Sequence, residues 1–332
     1  MNAGSARVLD ALRNAGEEPC SGQTLSRELG VSRAQIWKHV EALRSRGYRI
    51  RAGSSEGYRL VGTPDRLYPE QILPGLTTTW LARTLHWFEE VDSTNRVALD
   101  LAREGAPHGT AVIAEGQSAG RGRLGRSFFS PPGTNLYTSI LLRPEVSLEV
   151  APAFILAAAV GVADAVVATL RDASAVEIKW PNDVLLDGLK TSGILLELGA
   201  EATRVSHLVL GIGVNLNVDR ASFPAEFRSR ATSLASHAGH GIDRIDFTRR
   251  LFACLEETLE VSEKSGFDGL RPRFEAYFRM VGRSVRVRSL DDQETGGRVE
   301  GIDPVGALLL VGDDGETRRM LAGDVTLSGN SP

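Results

Sequence analysis

The spacing of apolar positions changes several times along this 332-residue chain, and each change marks an element. Leu25 and Leu29, then Ile36, Val40 and Leu43, put one apolar stripe on each of two short helices within residues 23–44. Gly30 supplies the turn between them, and Ser32 is placed to cap the second. Two short runs, YRIRAG and GYRL, follow around Ser54-Ser55-Glu56-Gly57 like a wing. From Thr63 to Gly75 the prolines 64, 69 and 74 interrupt any period, which predicts a linker with one helical turn near Glu70–Leu73. Beyond it, strand-like runs occupy 85–91, 110–114, 135–142, 176–180, 192–198 and 207–214. Helix-like runs occupy 94–104, 150–171, 246–262 and 267–279. That is an α/β or α+β arrangement around one sheet. Short alternating runs with Gly-Asp turns return between Val281 and Ser328. The expected organisation is a helix-turn-helix over 1–62, a linker over 63–75, a central domain over 76–279 and a small β domain over 280–329.

One run departs from alternation. Val150–Leu170 is 21 residues long with Asp164 as its single charge. An aspartate near the middle of a bilayer helix costs roughly 2.5–3.5 kcal/mol. No basic cluster flanks the run, so it is expected as a buried core helix and not as a membrane span. The composition, 42% hydrophobic and 24% charged, is that of an ordinary soluble protein. The two cysteines, Cys20 and Cys254, lie far apart, which excludes a disulfide framework or zinc motif and suits a reducing, cytoplasmic setting. The N-terminal MNAGSARVLDALRNAGEE lacks the apolar core of a signal peptide.

Charge divides the chain. Residues 1–62 carry ten Lys/Arg against six Asp/Glu, and the remainder carries 28 against 36. A basic module on an acidic body assigns any nucleic acid to the first domain. Arg33, Gln35, Lys38 and His39 lie off the buried stripe there, as on a recognition helix. A protein-interaction module with a solvated basic face is the competing reading.

Four segments of the central domain carry candidate chemistry at strand ends and loops. The first is Asp92-Ser93-Thr94-Asn95, where simple helix capping is an alternative. The second is GQSAGRGRLGRSFFSPPG. Its Gly120, Gly122 and Gly125 satisfy the dinucleotide-binding pattern, but no strand enters them directly, and Pro131-Pro132-Gly133 prevents a helix from opening on them. Arg121, Arg123 and Arg126 point instead to side-chain clamping of phosphate or carboxylate. The third, EIKWPNDVLLDGLKTSGILLEL, ends a strand with Lys179, Asn182 and Asp183, then turns at Asp187-Gly188 and returns Lys190 to the same region. In the fourth, LGIGVNLNV, Gly211 and Gly213 allow close approach to a strand, with Asn215 and Asn217 behind them. None of the six histidines forms a readable nucleophile pair. Cations without a nucleophile suit nucleotidyl transfer, where catalysis is positioning and charge neutralisation.

DSTN, GQSAGRGRLGR, GTNLY, KWPNDVLL, LKTSGILLE and GIGVNLN, in that order, resemble the biotin–protein ligases. With the winged helix, the chain is similar to the bifunctional form that also represses the biotin operon. The resemblance implies an α+β fold: a winged helix-turn-helix, a mixed sheet like that of class II aminoacyl-tRNA synthetases, and a small SH3-like barrel. It implies that biotin and ATP, with Mg2+, give biotinoyl-AMP. Biotin then passes to a lysine of the biotin carboxyl carrier protein of acetyl-CoA carboxylase, and no prosthetic group is needed. By position, Ser93, Thr94, Asn95 and Gln117 are implied to hold biotin, and Gly120, Arg121, Gly122 and Arg123 to cover its carboxylate and the phosphate. Lys190 is implied at the carboxylate and α-phosphate, with Arg126, Phe128, Lys179, Asn182 and Asn215 toward the nucleotide. Asp183 is implied to assist magnesium or the incoming amine. Gly22, Ser32, Arg33, Gln35, Lys38 and His39 are implied to face operator DNA of biotin genes, with a ligand-promoted homodimer as the binding form. The bacterial repressor-ligase form carries a tryptophan where this chain has Phe128 and an arginine where it has Leu124. A lipoate–protein ligase, or a biotin-sensing repressor without turnover, are the competing readings.

Overall fold

The computed structural model describes residues 1–53, 57–201, 204–289 and 293–327. Contacts divide it into two units, Met1–Arg66 and Leu67–Pro332.

The first unit contains α1 (Ala3–Asn14), α2 (Gly22–Leu29), α3 (Arg33–Ser45) and an antiparallel pair, β1 (Arg49–Gly53) with β2 (Gly57–Gly62). Val8, Leu9 and Leu12 of α1, not anticipated above as a helix, meet Leu25, Ile36, Val40 and Leu43 in one buried core. Gly30 ends α2 at φ 68°, a left-handed conformation that glycine adopts without strain. Ser54, Ser55 and Glu56, the expected wing turn, lie outside the described residues.

The second unit begins earlier than the linker expectation. Leu67, Tyr68 and Ile72 are buried in the central core, the last two on or beside α4 (Pro69–Ile72). The three prolines were compatible with a linker, but Leu67 and Ile72 are apolar anchors, and their burial outweighs the broken period. Next come β3 (Leu85–Val91), α5 (Thr94–Arg103), β4 (Ala111–Gln117), β5 (Leu136–Leu142), α6 (Ala153–Leu170), β6 (Val176–Lys179), β7 (Asp183–Leu186), β8 (Leu189–Glu201) and β9 (Arg204–Val214). The seven strands make one sheet in the order β3-β4-β5-β9-β8-β7-β6, parallel only between β3 and β4. Short helices α7 (Ala225–Arg228) and α8 (Leu234–Ala238) precede α9 (Arg244–Ser265) and α10 (Arg271–Tyr277).

The apolar helix α6 is long and apolar enough to cross a membrane by composition, yet two-thirds of it is buried in the protein core, against α9 and the sheet. Its one charge is answered internally: Arg273 Nη2 donates to Asp164 Oδ2 at 2.5 Å and Tyr277 Oη to Oδ1 at 2.7 Å. The chain closes with β10 (Ser284–Arg288), β11 (Glu294–Ile302), β12 (Leu308–Val311), β13 (Thr317–Met320) and β14 (Asp324–Leu327), an antiparallel sheet in the order β13-β12-β11-β10-β14. Val285, Val287, Val299, Leu308, Leu310 and Val325 join the same continuous core as the larger sheet.

Candidate active site

A pocket lies between the start of α5, the 117–130 loop and the strands β8 and β9. Its polar end is built by β3, which delivers Ser93, Thr94 and Asn95 at the helix start. Ser93 occupies the N-cap with extended backbone but makes no side-chain capping bond, so capping does not account for its hydroxyl. Gln117 is oriented instead: its Oε1 accepts from Thr94 N (2.9 Å) and Oγ1 (3.2 Å), and its Nε2 donates to Ser130 Oγ (2.9 Å). Buried Ser139 donates to Asn95 Oδ1 at 2.6 Å, and Asn95 Nδ2 donates to Glu197 Oε2 at 2.8 Å.

The sheet forms the floor. A Cβ added at Gly211 would stand 2.1 Å from Asn95 Oδ1, and one at Gly213 would stand 2.5 Å from the Phe128 ring. These two glycines therefore let an amide and an aromatic ring lie directly on the strand. Phe128 also meets Tyr137 edge-on at 6.4 Å.

The cationic end gathers Arg121, Arg123 and Lys190. Lys190 Nζ lies 2.7 Å from Asp183 Oδ1. Arg123 Nη1 donates to Asn182 Oδ1 at 3.0 Å and Nη2 to Gly323 O at 3.1 Å. Burial draws the Arg123 guanidinium below its ordinary pKa, against the attraction of Asp324 and Asp183. Arg126 pairs with Asp324. Burial opposes ionisation of that carboxyl, but the Arg126 bond and the neighbouring cations hold it below the usual carboxylate range. Arg121 Nη1 lies 3.6 Å from Glu197 Oε1.

Among the expected residues, Ser93, Thr94, Asn95, Gln117, Arg121, Gly122, Arg123, Phe128, Asn182 and Lys190 line this one pocket. Asp183 adjoins it through Lys190, and Gly120 packs on Phe128 O and Ser130 Oγ. Arg126 turns to Asp324, and Lys179 ends β6 near the same carboxylate. Asn215 departs from expectation: it is buried, donates to Thr232 O (3.1 Å) and accepts from Asn135 Nδ2 (3.5 Å), so its amide fixes a loop. Sequence reasoning missed Glu197, Ser139 and Tyr137. The available signal was a polar side chain in an otherwise apolar strand, as in ILLEL and LYTSILL.

In the first unit, Arg33 and Lys38 are exposed, as is 55% of Trp37. Ser32 and Gln35 form a capping box, with Ser32 N donating to Gln35 Oε1 at 3.0 Å, which engages two of the expected DNA-facing side chains with each other. His39 is half-buried, its Nδ1 3.1 Å from Ser5 Oγ, and its ring sits against Gly4. Gly22 opens α2 beneath Tyr58.

A mixed sheet with a glycine-floored pocket that gathers three cations, preceded by a helix-turn-helix, fits the class of acyl-activating ligases joined to a DNA-binding unit. The family model described as biotin/lipoate A/B protein ligase matches residues 87–215, an HTH domain matches 5–59, and the biotin protein ligase C-terminal domain matches 281–328. The bifunctional ligase/repressor BirA of Bacillus subtilis is 38% identical over 322 residues, covering 96% of this chain and 97% of that protein. The Escherichia coli K12 protein of the same name is 35% identical over 307 residues, covering 92% of each. The biotin protein ligase of Aquifex aeolicus, solved with biotin and ATP, superposes with a TM-score of 0.64 at 29% identity, covering 74% of this chain and 99% of that one. This chain belongs to the biotin protein ligase family, in its bifunctional ligase/repressor form.

Proposed function

We propose that this protein activates biotin with ATP to biotinoyl-AMP and transfers biotin to a lysine of a biotin carboxyl carrier protein, that of acetyl-CoA carboxylase. The observation that carries the reading is one pocket with hydroxyl and amide groups at one end and Arg121, Arg123 and Lys190 at the other. The polar end suits the ureido ring, which offers both donors and acceptors. In the first step a biotin carboxylate oxygen attacks the α-phosphorus, and pyrophosphate leaves with the P–O electron pair. Arg121, Arg123 and Lys190 neutralise the charge gathered on the carboxylate and phosphate. In the second step the carrier amine attacks the acyl carbon and AMP leaves. Asp183, beside Lys190, is the carboxylate placed to take the amine proton.

Among the described residues, no group of three or more His, Cys, Asp or Glu forms a metal centre of protein ligands alone. Magnesium, as a co-substrate, suits such a site because it keeps to phosphate oxygens and one or two carboxylates. Asp183 fits that role, and the ion supplies further neutralisation of phosphate charge.

The first test is ATP–pyrophosphate exchange with biotin and lipoate in parallel. Exchange driven by biotin and not by lipoate is expected; the reverse dependence removes the substrate assignment. The helix-turn-helix, with Arg33 and Lys38 exposed on α3, favours a second role as a biotin-responsive repressor on operator DNA, acting as a ligand-promoted dimer.

A further inference from the structure

Glu197 belongs to no function considered so far. It sits on β8 between Leu196 and Leu198, with its side chain 28% exposed at the pocket edge. One carboxylate oxygen accepts from Asn95 Nδ2 at 2.8 Å, and the other lies 3.6 Å from Arg121 Nη1. It therefore bridges the amide end of the pocket and the arginine loop. A neutral glutamine would orient Asn95 equally well, because one carbonyl oxygen is enough to accept that bond. Only the contact with Arg121 uses the negative charge.

We propose that Glu197 is a positioning residue that supplies Arg121 with an internal counter-ion, one that the carboxylate of an incoming ligand must displace. The inference rests on the reading of this pocket as a biotin site. A free guanidinium would bind the substrate carboxylate strongly before reaction, and such ground-state binding does not accelerate the chemistry. With Glu197 in place, the exchange of one carboxylate for another on Arg121 is nearly balanced. Once the acyl group is joined to phosphate its carboxylate charge is gone, and Arg121 can return to Glu197.

The test is calorimetric binding of biotin and of its alcohol analogue, in which CH2OH replaces the carboxylate, to the full-length protein. A partly exposed ion pair is worth up to about 1 kcal/mol, so Glu197→Gln should tighten biotin roughly two- to fivefold. The alcohol should bind the variant as it binds the wild type, a separation that a merely structural role would not produce. In an Arg121→Ala background, Glu197→Gln should no longer change biotin affinity, because the coupling runs through that guanidinium. Unchanged biotin affinity in Glu197→Gln, or an equal shift for both ligands, overturns the inference. A wild-type protein that binds neither ligand overturns the reading of the pocket itself.

Discussion

Lys190 owes its place to one extra residue. The β7–β8 ladder pairs Asp183 with Gly193 and Val184 with Ser192, then slips so that Leu185 meets Lys190. Without that bulge Thr191 would hold the position opposite Leu185, and the lysine would point to the other face of the sheet. The slip puts Lys190 on the face of Asp183 and within 2.7 Å of it. Removing a preorganised charge from a developing phosphoryl or acyl centre typically lowers the rate about 10²–10³-fold. Lys190→Ala should lower single-turnover adenylation by that factor in a rapid-quench assay. Near-normal turnover would remove Lys190 from the reaction. The sequence revealed that the DGLK hairpin returns a cation toward Asp183, because Asp187-Gly188 is a readable turn. It did not reveal which polar side chains are used internally. Asn215 and Gln35 are of the same residue types as the amides that line the pocket, and only packing directs them to Thr232 and Ser32.

Among the elements, those with a strong period were legible: β3, β5, α5 and the long helices α6 and α9 fall close to their expected bounds. Apart from α1, whose Val8, Leu9 and Leu12 carry a readable stripe, the elements that were missed are short or held by distant partners. Helices α7 and α8 have four and five residues, too few for a period to register. The segment before β3 is held by a residue far along the chain. Glu256, buried on α9, accepts from Thr79 N (2.7 Å), Trp80 N (2.9 Å) and Leu81 N (2.8 Å). Burial opposes its ionisation, but these donors prevail and hold its pKa below the ordinary value. A lowered folded-state pKa means that this stabilisation is complete above the ordinary glutamate range and is lost as pH falls through the lowered value. Glu256→Gln turns an NH2 group toward backbone donors and should cost about 2 kcal/mol. The expected result is a Tm several degrees lower at neutral pH, with a smaller difference in acid. An equal difference at both pH values would deny Glu256 this role.

For the whole molecule, the question is whether ligation and DNA binding are coupled. A single winged helix reaches few bases, and the capping box and His39 packing leave Arg33 and Lys38 as the exposed charged candidates on α3. We propose that a specific site takes two such units on a palindrome, its half-site spacing set by the symmetry of the proposed dimer. If biotinoyl-AMP binds the dimer better than the monomer, linkage requires it to favour dimerisation, and through it operator binding, by the same factor. Gel-shift titrations on biotin-synthesis promoters and on the protein's own promoter should show affinity rising with biotin plus ATP. Added carrier domain should reverse the rise by consuming the intermediate. Lys38→Ala should weaken binding and reduce the salt dependence, while carrier biotinylation stays at the wild-type rate, because the substitution removes a phosphate-neutralising charge from the first unit alone. Specific binding that ignores biotin and ATP would break the link between the two activities, and absence of specific binding would leave the ligase without a repressor role.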